Sequence, residues 1–137
     1  MLYELIYRSN AKSDTSESDI QNILHTARAF NKANGITGCL LFHNNQFLQL
    51  LEGEFNLLMK LYERIKTDTR HDGLVLLHMR ETAYRVYPNW TMAYQSMEPT
   101  DVKAKVGITE FTEFEPEEES ALSKQLFKAV SNNMMTG

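Results

Sequence analysis

Apolar and polar residues alternate at the start of the chain. Tyr3, Leu5 and Tyr7 fall on one face and Leu2, Glu4 and Ile6 on the other, which predicts a strand over Leu2–Arg8. The polar stretch Ser9–Ser18 predicts a loop, with Ser16 and Asp19 spaced as a capping-box-like pair at a helix start. The period then lengthens: Ile20, Ile23, Leu24, Ala27, Phe30 and Asn31 share one helical face. Asn34-Gly35 supplies the stop, because glycine accepts the left-handed backbone that closes a helix. Two strands follow, Gly38–His43 and Gln46–Glu52, around Asn44-Asn45, a pair that tolerates the positive φ of a two-residue hairpin turn. A second helix over Phe55–Thr67 buries Leu57, Leu58, Leu61 and Ile65. Gly73 opens a fourth strand, Leu74–Arg80. Tyr84–Pro88 is a loop, and a fifth strand over Trp90–Tyr94 sets Trp90, Met92 and Tyr94 on one face.

The order βαββαββ predicts a ferredoxin-like α+β sandwich: a mixed five-stranded sheet with both helices on one face. In that topology the first and third strands are central neighbours, so Tyr7 and Gln49 lie side by side beneath the helices. Leu48, Leu50 and Ile6 point the other way and need a cover. Pro116 precedes an amphipathic stretch, Leu122, Leu126, Phe127, Ala129 and Val130, that predicts a helical segment on that second face. The chain thus divides into a body over residues 1–97 and a C-terminal helical extension over 98–137.

Length and charge narrow the function. A chain of 137 residues buries a real core without disulfides or metal. Its net charge is −4, and the acidity collects near Glu110 to Glu119: residues 101–137 carry 4 basic and 7 acidic side chains. Phosphate backbones demand a basic face, so no nucleic-acid partner is expected. The apolar runs are too short to span a bilayer, and the N-terminus reads as a strand rather than a signal peptide. Cys39 is the single cysteine, which fits a reducing, cytoplasmic setting. His25, His43, His71 and His78 show no metal-ligand spacing with one another or with Cys39, and no nucleophile elbow or phosphate loop is present. Enzymatic catalysis is not expected.

The informative residues are polar ones in apolar settings. Gln49 interrupts the run Phe47-Leu48-Gln49-Leu50-Leu51, where each unmet amide bond costs on the order of 1–3 kcal/mol. Tyr7, Gln49 and Asn31 face the helices by parity and periodicity, and Arg64, Asp68, Arg70 and His71 cluster at the end of the second helix. Together they outline a slot between the helices with an amide-rich inner end and a charged mouth, a lining suited to a flat heteroaromatic with a polar tail. Each residue also has an ordinary reading. A Tyr–Gln pair satisfies a core hydrogen bond, Asn31 packs or caps near a helix end, and Arg and His at a helix C-terminus suit its dipole.

The string Asn31-Lys-Ala-Asn34-Gly35-Ile36-Thr37-Gly38, followed by Phe47-Leu48-Gln49-Leu50-Leu51-Glu52-Gly53, resembles the BLUF family of blue-light sensors using flavin. Leu5-Ile6-Tyr7, Asp68-Thr-Arg70-His71 and Trp90-Thr-Met92 add to the match, which covers roughly residues 1 to 95. The resemblance implies a non-covalent flavin between the two helices, FAD first, with FMN or riboflavin as alternatives. It implies that Tyr7 is the light-active tyrosine, Gln49 the essential glutamine and Asn31 a partner of the ring edge. Ile23, Leu24, Ala27 and Phe47 fall where the ring is packed, and Arg64, Asp68, Arg70 and His71 where its polar edge and ribityl chain lie. Trp90 and Met92 match the signal relay. Two positions depart from the pattern: Arg8 follows the tyrosine where small residues are common, and Ala27 replaces a hydroxyl beside the ring.

The family mechanism has Tyr7 give an electron and a proton, relayed by Gln49, which is left rotated or tautomerised; the absorption shifts to the red. Output is expected to run through the fifth strand and the C-terminal segment to a separate, unidentified protein. Apolar surface on the C-terminal helix offers a route to homo-oligomers. A flavin redox enzyme is the rival reading, but it needs a substrate and a hydride path. RNA-recognition modules and acylphosphatases share the topology, yet they require a basic aromatic sheet face or a catalytic loop with arginine.

Overall fold

The alternations resolve into β1 (Leu2–Ala11), α1 (Glu17–Asn34), β2 (Thr37–His43), β3 (Gln46–Glu54), α2 (Phe55–Lys66), β4 (His71–Glu81), β5 (Ala93–Ser96) and α3 (Ser120–Thr136). The computed structural model describes residues 1–12, 15–97, 111, 114, 116 and 120–136, with side chains of the last segment described over 123–132. Residues 98–110, the glutamates from Glu110 to Glu119 and the side chain of Leu122 therefore lie outside the described residues.

Local chemistry explains the boundaries. Ser16 caps α1 in a complete capping box: its hydroxyl accepts from the Asp19 amide, and the Asp19 carboxylate accepts from the Ser16 amide. Gly35 ends the helix with φ of 64°, and its amide reaches back to the Asn31 carbonyl. Asn44 and Asn45 take φ of 51° and 60°, the positive values of the hairpin turn. α2 is capped by the Glu54 carboxylate, which accepts from the Leu57 amide.

The strand order is β4-β1-β3-β2-β5. β3 pairs antiparallel with both β1 and β2, so each helical crossover joins strands that run parallel across an intervening partner. β5 adds in parallel to β2 and makes the sheet mixed. This is the ferredoxin-like α+β arrangement the element order predicts.

Two cores result, one on each face. Leu5, Tyr7, Phe47, Leu51 and Met92 pack with Ile20, Leu24, Leu58 and Leu61 of the helices. Ile6, Leu48 and Leu50 face the opposite way and pack with Phe111, Phe114, Leu126, Phe127 and Val130, so the C-terminal segment does cover the second face. Two bonds fix α3 in place: the Tyr87 hydroxyl donates to the Phe127 carbonyl at 2.8 Å and the Ser131 hydroxyl to the Val86 carbonyl at 3.2 Å.

Three sequence expectations need correction. β1 continues to Ala11 where a loop was expected from Ser9, because Ser9 and Asn10 pair with Phe47 and Gln46 and the Ala11 amide donates to the Asn45 carbonyl. β4 starts at His71 rather than Leu74, since a register shift in β1 between Arg8 and Asn10 lets Asn10 and Ala11 continue the ladder with Asp72 and His71. The fifth strand starts at Ala93, not Trp90. The Trp90 carbonyl still accepts from the Gly38 amide of β2, but the carbonyls of Thr91 and Met92 are taken by the Asn31 amide group and the Arg28 guanidinium, and paired residues begin only at Ala93 opposite Cys39. Trp90 consequently does not share a buried face with Met92 and Tyr94.

Gly38 and Gly35 serve different needs. A Cβ at Gly38 would sit 2.0 Å from the Leu50 carbonyl oxygen, a backbone atom that cannot yield, whereas one at Gly35 meets nothing within 4 Å. Gly38→Ala is expected to cost roughly 2–3 kcal/mol, and Gly35→Ala about 1–2 kcal/mol from its left-handed backbone alone. Urea denaturation of the two variants tests that order.

Candidate functional site

The antiparallel register sets Tyr7 directly opposite Gln49 on the two central strands, beneath α1 and α2. Both are 5% exposed. The Tyr7 hydroxyl donates to Gln49 Oε1 in a short hydrogen bond. That bond turns the amide nitrogen outward, and Gln49 Nε2 donates to the Met92 sulfur at 3.3 Å. A thioether is a weak acceptor, so much of the amide's donor capacity is left for another partner.

Burial raises the Tyr7 phenol far above its ordinary value, and the charges of Asp68 and Tyr62 add to the effect. Tyr7 is therefore a neutral, proton-bearing phenol throughout the neutral range. The Tyr62 ring meets it edge-on at 6.2 Å, and the His71 ring lies 6.3 Å away. His71 uses Nε2 to reach the Ile65 carbonyl at 3.0 Å, and its buried Nδ1 has no hydrogen-bond partner among the described residues.

Above this pair lies a cleft of about 120 Å³ between the helices, reaching from Asn31 and Gln49 at its inner end to Arg64, Asp68 and Arg70 at its mouth. A smaller hollow of about 40 Å³ continues it over Tyr7, Phe47 and His71, and another of about 190 Å³ runs outward past Arg70 and Thr69. Ile23 lines all three, so they form one slot along α1. At the mouth, Asp68 and Arg70 make a close ion pair at 2.6 Å. Burial alone would raise the Asp68 carboxyl; its bonds and charge attraction to Arg70 outweigh that and hold it below the usual range. The Arg64 guanidinium stacks over the Phe30 ring at 4.5 Å.

Asn31 is fully buried. Its Nδ2 donates to the Thr91 carbonyl at 2.7 Å, and its Oδ1 has no hydrogen-bond partner among the described residues. A buried amide oxygen left unmet is costly unless a donor completes it.

The sequence-predicted residues thus converge, with two exceptions. Tyr7, Ile23, Ala27, Asn31, Phe47, Gln49, Arg64, Asp68, Arg70 and His71 all line the slot. Leu24 does not; it is buried in the core beneath the first helix. Trp90 is 45% exposed and outside, whereas Met92 is 1% exposed and touches Gln49. Sequence reasoning assigned no slot role to Thr26, Phe30, Leu61 and Ile65, although the last three were visible as helical-period apolar positions. Arg28, which holds the Met92 carbonyl at 3.1 Å, gave no signal, because its partner belongs to an irregular segment.

Comparison with known proteins extends this geometry. Residues 2–93 match the family model described as BLUF, sensors of blue-light using FAD. Photoactivated adenylate cyclase subunit beta of Euglena gracilis is 40% identical over 92 residues, 66% of this chain and 11% of that protein. The blue light- and temperature-regulated antirepressor BluF of Escherichia coli (strain K12) is 38% identical over 77 residues, 56% of this chain and 19% of the antirepressor. This chain therefore spans only a small part of the curated relatives it matches. The solved dark-state structure of BlrB, a BLUF protein, superposes with a TM-score of 0.81 at 26% identity, covering 96% of each chain. With its family match falling on the slot-forming sheet and helices, the chain belongs to the BLUF family of blue-light sensors, and its cofactor is a flavin.

Proposed function

We propose that this chain is a blue-light receptor in which Tyr7 and Gln49 form the light-responsive unit and Met92 reads the state of Gln49. The observation that carries the reading is the chain of contacts from the Tyr7 hydroxyl through the Gln49 amide to the Met92 sulfur at the floor of the slot.

The residues present fit a flavin. The orphaned Asn31 Oδ1 seeks a donor and the Gln49 amide group seeks an acceptor, and a flavin ring edge carries both in alternation. Ile23, Ala27 and Phe47 supply apolar walls, while Arg64, Arg70 and the unpartnered His71 Nδ1 suit a hydroxylated and phosphorylated tail. Two arginines near the mouth favour FAD or FMN over riboflavin, since both carry phosphate.

A bound flavin supplies an excited state that takes one electron from a neighbouring phenol and returns it. The protein does the rest. Tyr7 is the donor, and its hydroxyl already points along the bond its proton would follow, to Gln49 Oε1. Gln49 can accept there and release a proton from Nε2, because an amide carries both functions. When the electron and proton return, Gln49 is left rearranged and its contact with Met92 changes. Met92 lies between Arg28, which holds its carbonyl, and β5, so the change passes to the sheet edge and to the 82–92 segment that grips α3.

The output reading is a partner protein that responds to α3, without enzymatic activity in this chain itself. Its support is that α3 packs on the far face of the two strands that carry Tyr7 and Gln49 and is held by bonds to residues 86–87. Trp90, exposed beside this segment, remains a relay candidate through its backbone: its carbonyl accepts from Gly38 and its amide donates to the Tyr87 carbonyl.

Three outcomes test the reading. Blue light should shift the spectrum of the flavin-loaded protein reversibly to the red, and steady reduction by a nicotinamide donor would instead support a redox enzyme. Gln49→Leu should keep the flavin and lose the shift, as measured by absorbance difference. Tyr7→Phe should also lose it.

The Tyr7 phenol gives a further outcome. Its folded pKa lies above the unfolded value near 10, so its contribution to stability is complete below that pH and is lost as pH rises past it. The stability difference between the parent and Tyr7→Phe should therefore shift by about 1.4 kcal/mol against the parent between about pH 9 and about pH 11. Urea midpoints at the two pH values decide it.

A further inference from the structure

On the opposite side of the sheet from the slot lies a cavity of about 360 Å³ that the photochemistry does not use. It is bounded by residues 82–86 and by one face of α3. We propose that this cavity is a binding site for a small phosphorylated ligand with a planar ring, of the nucleotide class.

The charges that line it carry the argument. Arg85, Lys124 and Lys128 converge on the cavity, and no carboxylate is among its described lining residues, in a protein whose net charge is −4. Lys124 and Lys128 are one turn apart, so their like charges repel. Ser131 and Asn132 follow on the same helical face and add polar side chains to the wall.

Two of the cations are held in place. The Lys124 ammonium lies 2.9 Å from Glu4 Oε1, and Glu4, 2% exposed in the sheet, is also bound by His78 at 2.5 Å. Arg85 donates through Nη1 to the Thr37 hydroxyl at 2.8 Å and to the Glu52 carbonyl at 3.1 Å, both neutral acceptors. These bonds orient the guanidinium, and the nearby Glu52 carboxyl, which burial shifts toward its neutral form, attracts it only in part. Lys128 is exposed and has no ion pair among the described residues. Lys124 is therefore already paired with a carboxylate, and an incoming anion meets the oriented Arg85 and the mobile Lys128, at little cost in protein freedom.

The volume is in the range of small-molecule sites, and phosphate matches a guanidinium flanked by ammonium groups. The ring part rests on Tyr84. It is 82% exposed at the rim, and the Thr82 hydroxyl ties down its carbonyl at 3.1 Å. A tyrosine ring presented in this way offers a stacking surface to a base.

Titration of the flavin-loaded full chain with AMP and with inorganic phosphate, followed by calorimetry at low ionic strength, tests the site. AMP should bind saturably at one site. Lys128→Glu should weaken it by about tenfold or more, the loss expected for one charge-assisted contact, while Lys128→Arg retains binding. Tyr84→Ala should weaken AMP and leave phosphate unchanged. Lys60→Glu, on the exposed face of α2, should leave both unchanged. No saturable AMP binding, unchanged binding in Lys128→Glu, or an equal loss in Lys60→Glu would overturn the site. A Tyr84→Ala variant that binds AMP like the parent would overturn the nucleotide class.

Discussion

The pairing of β1 with β3 is the constraint on which the rest depends. Side chains alternate along a strand, so a slip of one residue would exchange the two faces. The observed register places Tyr7 against Gln49 and both toward the helices, and it places Ile6, Leu48 and Leu50 toward α3. A polar pair could occupy the centre of a sheet only if each member met the other. Here the phenol has its acceptor and the amide has its donor, and the amide's remaining capacity faces a cleft.

The same register creates a second problem and its solution. Glu4 and Glu52 are also directly opposite, on the α3 side, and both are buried. Adjacent like charges in low dielectric are unfavourable. The two carboxyls are separated by environment. Burial would raise Glu4, but its bonds and attraction to His78 and Lys124 prevail and hold it low and charged. Burial also raises Glu52, and there it prevails over the opposing bonds from the Val86 and Tyr87 amides and the Thr37 hydroxyl. One carboxyl thus anchors α3 and β4 to the sheet, and the other organises the 82–92 segment. The two structures that surround the proposed anion site are built on this pair.

Most of the fold was legible because its signals are local. Capping at Ser16, the left-handed stop at Gly35 and the Asn44-Asn45 turn each act within a few residues, and periodicity located both helices and the central strands. The slot was legible at Tyr7, Asn31 and Gln49 because polar residues at buried positions stand out. What escaped was set by distant partners. The fifth strand starts later than the alternation in Trp90–Tyr94 suggests, because the carbonyls of Thr91 and Met92 are taken by the side chains of Asn31 and Arg28. The family resemblance places Leu24 against the ring; its side chain is buried with Ile20 and Leu58 in the core on that face of the sheet.

The late start of β5 leaves residues 91–92 held by side chains from α1 and β3. Asn31 has one amide end at the Thr91 carbonyl and the other open toward the slot. Gln49 meets Met92, one residue further on, and Arg28 holds the Met92 carbonyl. Three side chains from two elements therefore grip two consecutive residues, and two of those side chains line the site where a ring would bind. A ligand shifts a conformational balance only by contacts that differ between its states. Under the proposed reading, rearrangement of the Gln49 amide alters such a contact on a segment held by side chains in place of a ladder, where a change costs the sheet least.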